Sequence, residues 1–588
     1  MSVSQKNIVN NNKTGQSFAM GALIMAIGMI IVKVAGAAFK VPLSYILGGV
    51  GTGYFSTAYT IYTPIYALAT AGLPIAISRI VSSDMTQKKY KDVRFIHKVS
   101  VPLFVITGLV GTILMFILAF PYVKFINSPG SLYSLIALAP TVFFSCLISI
   151  YKGYYEGLRN MIPTAISEII ESIGKVVFGV SLAGLIMYFG LQEYKNYSTV
   201  FGVYYETESL AKDALLPWAS AGAVLGITLG AFAGYLYMLI KYKKTGDHIT
   251  LEELQESPPA RSAKELLKKL LKISIPVALG AAIMNIASAI DATLVQRRLS
   301  HIMSYAPEIL LNAYRNLIPE NVVNSGNTHI FLAGCFGYMN TITMFLPTIT
   351  QGFAISALPN VTAAWVTKTK EKIQKNIETV LKITSIVSFP LGLGMSVLSY
   401  PIMDLVYNTL GKNKDLGEIA VSAQIMSIYA IGIIFVAIGT PLCSILQAVG
   451  RTDIPLKILT IGVILKVLLN YVLVGIPEIN IQGAGIGTLA CYLFVCISSL
   501  IFLKKETKTN INYLEVFIKP IFSSILCAVS AYTSHGLLTH IISYKLATVI
   551  SIIISGFVYL ISLILTRTVT RSDLESVPKL KRFAKFLR

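Results

Sequence analysis

The chain has 588 residues, of which 54% are hydrophobic and only 13% are charged, and its formal net charge at pH 7 is +21. A soluble domain carries about 25% charged residues, so this composition excludes an ordinary soluble protein and indicates a polytopic membrane protein. The basic excess could suggest a nucleic-acid partner. However, its lysines and arginines sit in short loops between apolar segments, as the positive-inside rule predicts, and we expect no nucleic acid among the partners.

Apolar segments long enough to cross a membrane recur along the whole chain. A hydrocarbon core about 30 Å thick needs roughly 20 apolar residues per helix. The sequence predicts fourteen such helices, at residues 17–39, 54–80, 99–120, 132–151, 162–189, 216–239, 273–295, 331–356, 380–398, 420–446, 454–474, 484–503, 516–535 and 546–565. The predicted fold is therefore an all-α polytopic membrane protein.

Basic residues alternate between the predicted connections. The connections after the even-numbered helices are rich in lysine and arginine, and the chain ends in the basic tail KLKRFAKFLR. Connections after the odd-numbered helices are poorer in basic residues, and residues 192–213 are acidic on balance; the exceptions are Arg297, Arg298 and Arg315. This alternation predicts a multi-pass protein of the cell membrane with both termini in the cytoplasm.

The longest cytoplasmic connection, residues 241–272, divides the chain near its middle. We predict an N-terminal lobe at 1–243 with the first six helices, a cytoplasmic linker at 244–269, and a C-terminal lobe at 270–508 with the next six. Residues 509–588 hold the last two helices and the basic tail.

The two halves repeat short motifs in the same order. Leu73-Pro74 recurs as Leu358-Pro359, and Gly222 recurs as Gly485. A short turn with Gly157 and Pro163 returns with Gly450 and Pro455. Such parallel repeats are related by an axis along the membrane normal, and in transporters the site lies between them.

The fifth predicted helix carries Glu168, Glu171 and Lys175, whose spacings of three and four residues place them on one face. Lys175 follows Pro163 by 12 residues, and Lys466 follows the matching proline by 11. Charged groups at membrane depth usually face a cavity or a charged partner. Two interpretations stay open, an internal ion pair between Glu171 and Lys175 or the wall of a water-filled cavity.

Three further polar residues lie at membrane depth. Lys33 stands seven residues before Lys40 on the first helix, too deep to reach the surface easily, and we assign it to a cavity wall rather than to packing. Asn285 and Asp291 lie on the seventh helix. Asp291, with one of the arginines at 297 and 298, forms either an outer gate or a simple ion pair at the helix end.

Motifs of nucleotide and metal chemistry do not occur in the sequence. The run GGVGTG at residues 48–53 lacks the Lys-Ser/Thr of a phosphate-binding loop and is typical of a turn. The six histidines and six cysteines have no metal-ligand spacing. We expect no cofactor, no metal and no catalytic residue, and we do not expect an enzyme.

Four stretches resemble one transporter family: AGLPIAISRIVSSD at 71–84, YKGYYEGLRNMIPTAISEIIE at 151–171, SAGAVLGITLGAFAGYLY at 220–237 and LQAVGRTDIP at 446–455. They are similar to the polysaccharide-transporter branch of the multidrug/oligosaccharidyl-lipid/polysaccharide exporter superfamily. Within it, they resemble the Gram-positive peptidoglycan lipid flippase and stage V sporulation protein B group.

The resemblance implies two six-helix lobes around a central cationic cavity and a final helix pair that forms a groove for a lipid tail. In such flippases, arginines on the first helix contact the anionic substrate, and Lys33 stands where one is expected. Lysine lacks the bidentate geometry of arginine, so phosphate would be held less specifically. The implied partners are a lipid-linked anionic saccharide and membrane lipids, with a monovalent cation or a proton open as coupling ion.

The leading functional hypothesis is a flippase for an undecaprenyl-diphosphate-linked saccharide, with lipid II as the first candidate. Lys33, Lys175 and Lys466 would supply positive charge for the diphosphate. One alternative is a cation-coupled multidrug exporter of the same superfamily, which would depend on Glu168, Glu171 and Asp291. Another is a membrane scaffold in wall or spore assembly that transports nothing.

Overall fold

The computed structural model describes residues 18–246, 249–314, 317–366, 370–408, 416–451 and 453–568. The polar N-terminal segment, the basic C-terminal tail and Arg315 lie outside these residues, so the predicted position of both termini stays a prediction.

Helices make up nearly all of the described chain, which confirms the predicted all-α membrane fold. In order they are α1 (Phe18–Thr70), α2 (Gly72–Thr86), α3 (Tyr90–Phe125), α4 (Ser131–Gly157), α5 (Ile162–Tyr197), α6 (Glu208–Thr245), α7 (Leu251–Glu256), α8 (Ala263–Tyr305), α9 (Pro307–Ala313), α10 (Glu320–Asn324), α11 (Thr328–Thr343), α12 (Phe345–Val366), α13 (Lys370–Val397), α14 (Ser399–Tyr407), α15 (Leu416–Ala448), α16 (Asp453–Leu473), α17 (Gln482–Thr507), a π-helical turn (Leu514–Ile518), α18 (Lys519–Leu538) and α19 (Tyr544–Leu565). A two-residue hairpin of β1 (Thr199–Val200) and β2 (Val203–Tyr204) joins α5 to α6.

Twelve stretches of the described residues are long and apolar enough to cross a membrane, which makes this a multi-pass membrane protein. The first stretch, Ile27–Thr86, covers 60 residues, or about 90 Å of helix at 1.5 Å per residue. That length exceeds the roughly 60 Å of two crossings, so it has room for the first two predicted helices and the segment that joins them. The count of fourteen crossings stays a prediction.

The predicted connection at residues 47–53 is a kink rather than a loop. α1 runs through it, and only Gly48 departs from helical geometry, with φ 58° and ψ −169°. Its neighbours Gly53 and Gly49 touch the first part of α11, because a Cβ on Gly53 would lie 2.2 Å from the carbonyl oxygen of Ile330. The glycine run therefore serves close helix packing as well as the kink.

The described chain divides into two compact units. Unit 1 comprises Met1–Arg297 and Asn321–Gly334, and unit 2 comprises Arg298–Glu320 and Cys335–Arg588. α8 up to Arg297 belongs with unit 1, and the predicted lobes stay a prediction. Two hydrogen bonds join α8 to other helices of unit 1: Gln296 donates to Thr57 at 3.0 Å, and the Tyr122 and Thr293 hydroxyls lie 3.1 Å apart.

The linker before α8 is fastened to the ends of α2 and α3. The backbone N–H and Nε of Arg261 each donate to Asp92 at 2.7 Å, and its guanidinium also pairs with Asp84. Lys91 donates to the carbonyl oxygen of Ser257 at 2.9 Å. Although burial opposes it, the hydrogen bonds and charges of the two aspartates raise the pKa of Arg261, so the guanidinium stays charged.

Glycines hold α5 and α6 in close contact in unit 1. A Cβ on Gly226 would lie 2.2 Å from Gly179 Cα, and one on Gly230 would lie 2.6 Å from the carbonyl oxygen of Glu171. The glycines at every fourth position of α6, from Gly222 to Gly234, therefore mark a helix interface. It fixes the face of α5 that carries the charged residues.

The backbone hydrogen bonds reveal the register of the sequence repeat. After α4, the amides of residues 158, 159 and 160 donate to carbonyls four, three and five positions back, and residues 449, 450 and 451 after α15 do the same. Arg159 and Gly450 are both left-handed there. Arg159, not Gly157, is thus the counterpart of Gly450, and the offset of 291 also joins Lys175 to Lys466.

Loop charge predicts that the linker is cytoplasmic and that the β1–β2 hairpin is outside. We expect Ser262→Cys and Glu206→Cys, each exposed, to react with a membrane-impermeant thiol reagent from opposite sides. The background would lack the six native cysteines, which are all buried. Labelling of both positions from one side would contradict the predicted topology.

The α5–α6 contact should not tolerate even one added methyl group. We expect Gly226→Ala to destabilise the protein by about 1–3 kcal/mol, because overpacking forces the two backbones apart. Gly556→Ala on α19 is the matched control, since a Cβ there meets nothing within 4 Å. Thermal unfolding in detergent measures both variants, and equal melting temperatures would contradict the close contact.

Candidate functional site

An ion cluster joins α4 to α5 inside unit 1. The Lys152 ammonium lies 3.0 Å from Glu171 Oε1 and 3.5 Å from Glu168 Oε1. The Ser167 hydroxyl donates a further hydrogen bond of 3.3 Å to Glu171. Only a fifth to a quarter of the Lys152 and Glu171 side chains is exposed, so each charge depends on its partners rather than on water.

A ladder of tyrosines on α1 runs beside this cluster. The rings of Tyr59, Tyr62 and Tyr66 follow one another with centroids 5.6 and 5.2 Å apart. The charge of Glu171 acts on Tyr62 and Tyr66, and that of Lys152 acts on Tyr66. The wall of the site therefore combines aromatic rings with hydroxyl groups, a mixture suited to orienting a polar ligand.

Three lysines form the basic side of the same site. Lys33 and Lys40 on α1 are exposed, Lys175 on α5 is half-buried, and their charges lie within electrostatic reach of one another. The Lys175 ammonium stands 5.2 Å from the centre of the Phe39 ring, in a cation–π contact. Because like charges at membrane depth repel strongly, such a group favours a bound anion.

Glu171 and Lys175, for which an ion pair is one of the two open interpretations, contact different partners. Glu171 forms its salt bridge with Lys152, while Lys175 turns toward Phe39 and stays within electrostatic reach of Glu171. The four lysines outnumber the three glutamates of the site, because Glu156 also lies within electrostatic reach of Lys152 and Glu168. Unit 1 thus presents a net positive surface on which the acidic side chains already have a partner.

Of the charged residues at the unit 1 site, Lys175 has a counterpart at the equivalent position of unit 2. Lys466 is half-buried on α16, where its charge acts on Tyr492 of α17. The same offset places Leu459 and Gly462 where unit 1 has Glu168 and Glu171, and Cys443 where it has Lys152. The ion cluster is therefore particular to unit 1, whereas the lysine is common to both repeats.

On α8, the side chain of Asn285 bonds within its own helix. The Asn285 amide donates 2.8 Å to the Ala281 carbonyl oxygen one turn back on α8, and Asp291 is half-buried two turns later. The Arg297 guanidinium stacks over the Phe125 ring, and Arg298 donates to the Tyr471 carbonyl oxygen. An outer gate at Asp291 stays a prediction.

Sequence reasoning missed Lys152 and undervalued Lys40. Lys152 lies one residue beyond the fourth predicted helix, at 132–151, but α4 continues to Gly157, so the residue lies more than one turn inside the helix. Gly153, directly after the lysine, does not end the helix. Lys40 shares a face with Lys33, since seven residues make about two turns.

The ion cluster gives a stability prediction. Lys152→Gln should destabilise the protein by about 1–3 kcal/mol, because it leaves two glutamates without their cation. Adding Glu168→Gln and Glu171→Gln to that variant should restore part of the loss. Melting temperatures in detergent rank the stabilities of the single and triple variants. Lys195→Gln, at an exposed lysine of α5, is the control. A triple variant less stable than the single one would contradict the assignment.

Two family models match the chain. The model described as "Lipid II flippase MurJ" covers residues 338–568, and the model described as "Polysaccharide biosynthesis protein" covers residues 18–205. The first lies in the second half of the chain and the second contains Lys33, Glu168 and Lys175.

Curated relatives extend the similarity over nearly the whole chain. The lipid II flippase MurJ of Bacillus subtilis (strain 168) is 21% identical over 560 residues, which cover 92% of this chain and 94% of the relative. Stage V sporulation protein B of the same organism is 21% identical, over 96% of this chain and 99% of its own length.

Solved structures show the same fold. "Lipid II flippase MurJ, inward closed conformation" superposes with a TM-score of 0.62 at 16% identity, over 93% of this chain and 99% of that one. An inward-facing multidrug transporter of the MATE family gives a TM-score of 0.57 at 15% identity, over 81% of this chain and 99% of that one. The resemblance seen in the sequence is thereby confirmed: over most of its length the chain is similar to lipid II flippases, and its fold is that of these flippases and of multidrug transporters of the MATE family.

Proposed function

We propose that the protein is a flippase that moves an undecaprenyl-diphosphate-linked saccharide, with lipid II as the leading candidate, from the inner to the outer leaflet by alternating access. The observation that carries this proposal is the basic side of the unit 1 site, where Lys33, Lys40 and Lys175 lie within electrostatic reach of one another. A diphosphate is the part of such a lipid that needs positive charge.

The energetics of the site support an anionic substrate. Three ammonium groups repel one another most strongly when the surroundings are apolar, and a diphosphate between them converts that repulsion into attraction. The ammonium of Lys175 also keeps its contact with Phe39, so it is held in place without an acid of its own. The site therefore favours an anion and disfavours a cation.

Lys466 extends the proposal to the second repeat. It has the register of Lys175, so a role for one lysine in moving an anionic head group implies a similar role for the other. The sequence has no nucleotide-binding motif, and we attribute the driving force to an ion gradient, to the membrane potential or to removal of the product outside.

The multidrug-exporter alternative would use free carboxylates to bind a cation. In this chain both Glu168 and Glu171 pair with Lys152, which offsets one of their two negative charges and makes them a poorer site for a cationic drug than free carboxylates. That arrangement favours the lipid-linked anion over the drug. Coupling to a proton or to a monovalent cation at the same carboxylates remains compatible with either substrate.

Reconstituted liposomes test the proposal directly. Purified protein should flip fluorescent lipid II, and Lys175→Glu and Lys466→Glu should each reduce the rate at least about tenfold, because each replaces attraction for the diphosphate by repulsion. Lys33→Ala should have a similar effect, whereas Lys33→Arg should retain activity, since charge is kept and phosphate geometry improves.

Lys457→Glu is the matched control for the charge reversals. It lies on α16 with Lys466, but 74% of its side chain is exposed. Its rate should stay near that of the unchanged protein. Transport of a cationic dye in place of lipid II would contradict the proposal, as would normal flipping by both the Lys175→Glu and Lys466→Glu proteins.

A further inference from the structure

A second cavity lies in unit 2, between the short helix α14 and the start of α19. Its volume is about 450 Å³, and it is lined by Tyr400, Asp404, Asn408, Ser543, Tyr544 and Lys545. A volume of this size is within the usual range of small-molecule sites, about 300–1,000 Å³. The cavity is separate in sequence and chemistry from the lysine site of unit 1.

The cavity has a rigid polar framework. The Lys545 ammonium donates to the Asn408 carbonyl oxygen at 2.7 Å, and the Asn408 amide donates to Asp404 Oδ1 at 2.8 Å. This chain of bonds links the end of α14 to the start of α19. Two aromatic rings, those of Tyr400 and Tyr544, stand edge to face beside it with centroids 6.1 Å apart.

Several polar groups of the cavity have hydrogen-bonding capacity left. Asp404 is only 6% exposed, yet its Oδ2 atom accepts no hydrogen bond from any described residue. The hydroxyls of Tyr400, Tyr544 and Ser543 likewise have no hydrogen-bond partner within the described chain. This carboxylate oxygen belongs to a side chain that lines the cavity and has no donor within the described chain, so it is available to a ligand that donates to it.

We propose that this cavity binds a sugar ring of a saccharide. A sugar offers hydroxyl donors to Asp404 and hydroxyl acceptors to Lys545 and Ser543, and its apolar ring face can pack on a tyrosine. The single carboxylate is too little for a divalent cation, which takes six or more oxygen ligands. A phosphate group would meet Lys545 but would be repelled by Asp404.

Loop charge assigns this cavity to the outer face of the membrane. It is built from the connections after the ninth and thirteenth predicted helices, both odd-numbered and therefore expected outside. That these two connections form one cavity agrees with the predicted alternation. The inference rests on the proposed function in one respect, because it assigns the bound sugar to the head group of the released lipid-linked saccharide.

Binding of a lipid-free sugar tests the cavity without any transport. Purified full-length protein in detergent should bind a soluble disaccharide of N-acetylhexosamine, measured by equilibrium dialysis of the radiolabelled sugar. Asp404→Asn and Tyr400→Ala should each weaken binding at least about tenfold, the usual effect of losing a hydrogen bond to a charged group or an aromatic contact. Tyr532→Ala, at a 68% exposed tyrosine of α18, should change nothing.

The competing ligand is a lipid phosphate, and glycerol phosphate is its probe. Competition of the sugar by glycerol phosphate at similar concentrations, or equal sugar binding by the Asp404→Asn, Tyr400→Ala and Tyr532→Ala proteins, would overturn the inference. Sugar binding in a protein that does not flip lipid II would leave the cavity assigned and refute the proposed function. Flipping of lipid II by a protein that does not bind the sugar would support the proposed function and refute the cavity assignment.

Discussion

The placement of charge inside an apolar scaffold constrains the rest of this structure. The pairing of Lys152 with Glu168 and Glu171 allows two carboxylates to lie between helices at membrane depth, where an unpaired charge would be neutralised or expelled. The close approach of α5 and α6 through glycine then fixes the direction in which the α5 side chains point. The basic side of the site follows, because Lys175 lies one turn beyond the pair.

The two repeats share a framework but not a chemistry. The turn before α5 and the turn before α16 have the same hydrogen-bond pattern, and both helices carry a lysine at the same position. Even a helix contact is repeated, since Gly226 meets Gly179 in one unit and Gly487 meets Asn470 in the other. The acidic partners occur in unit 1 alone, so the repeats have diverged where the ion cluster stands.

The sequence predicted the all-α fold and the location of most long helices, because hydrophobic length is a local signal, although several helices begin or end up to ten residues outside the predicted bounds. It could not predict that Glu171 would pair with Lys152 in place of Lys175. That choice depends on how α4 packs against α5, which no local pattern encodes. The run GGVGTG was predicted to be a turn, whereas it forms a kink within α1. The sequence could not separate the two structures, since a kinked helix and a tight turn favour the same residues.

The contacts of Arg261 with Asp84 and Asp92 limit where the molecule can bend. The connection between α6 and α8 is long enough to be a flexible linker. However, Asp84 and Asp92 hold Arg261 two residues before α8 begins. The linker is therefore fixed next to the start of α8, and the first turns of α8 must move together with the ends of α2 and α3. Any hinge of the transporter must therefore lie within the helices, beyond Arg261. The long linker holds α8 in place and does not act as a flexible connection.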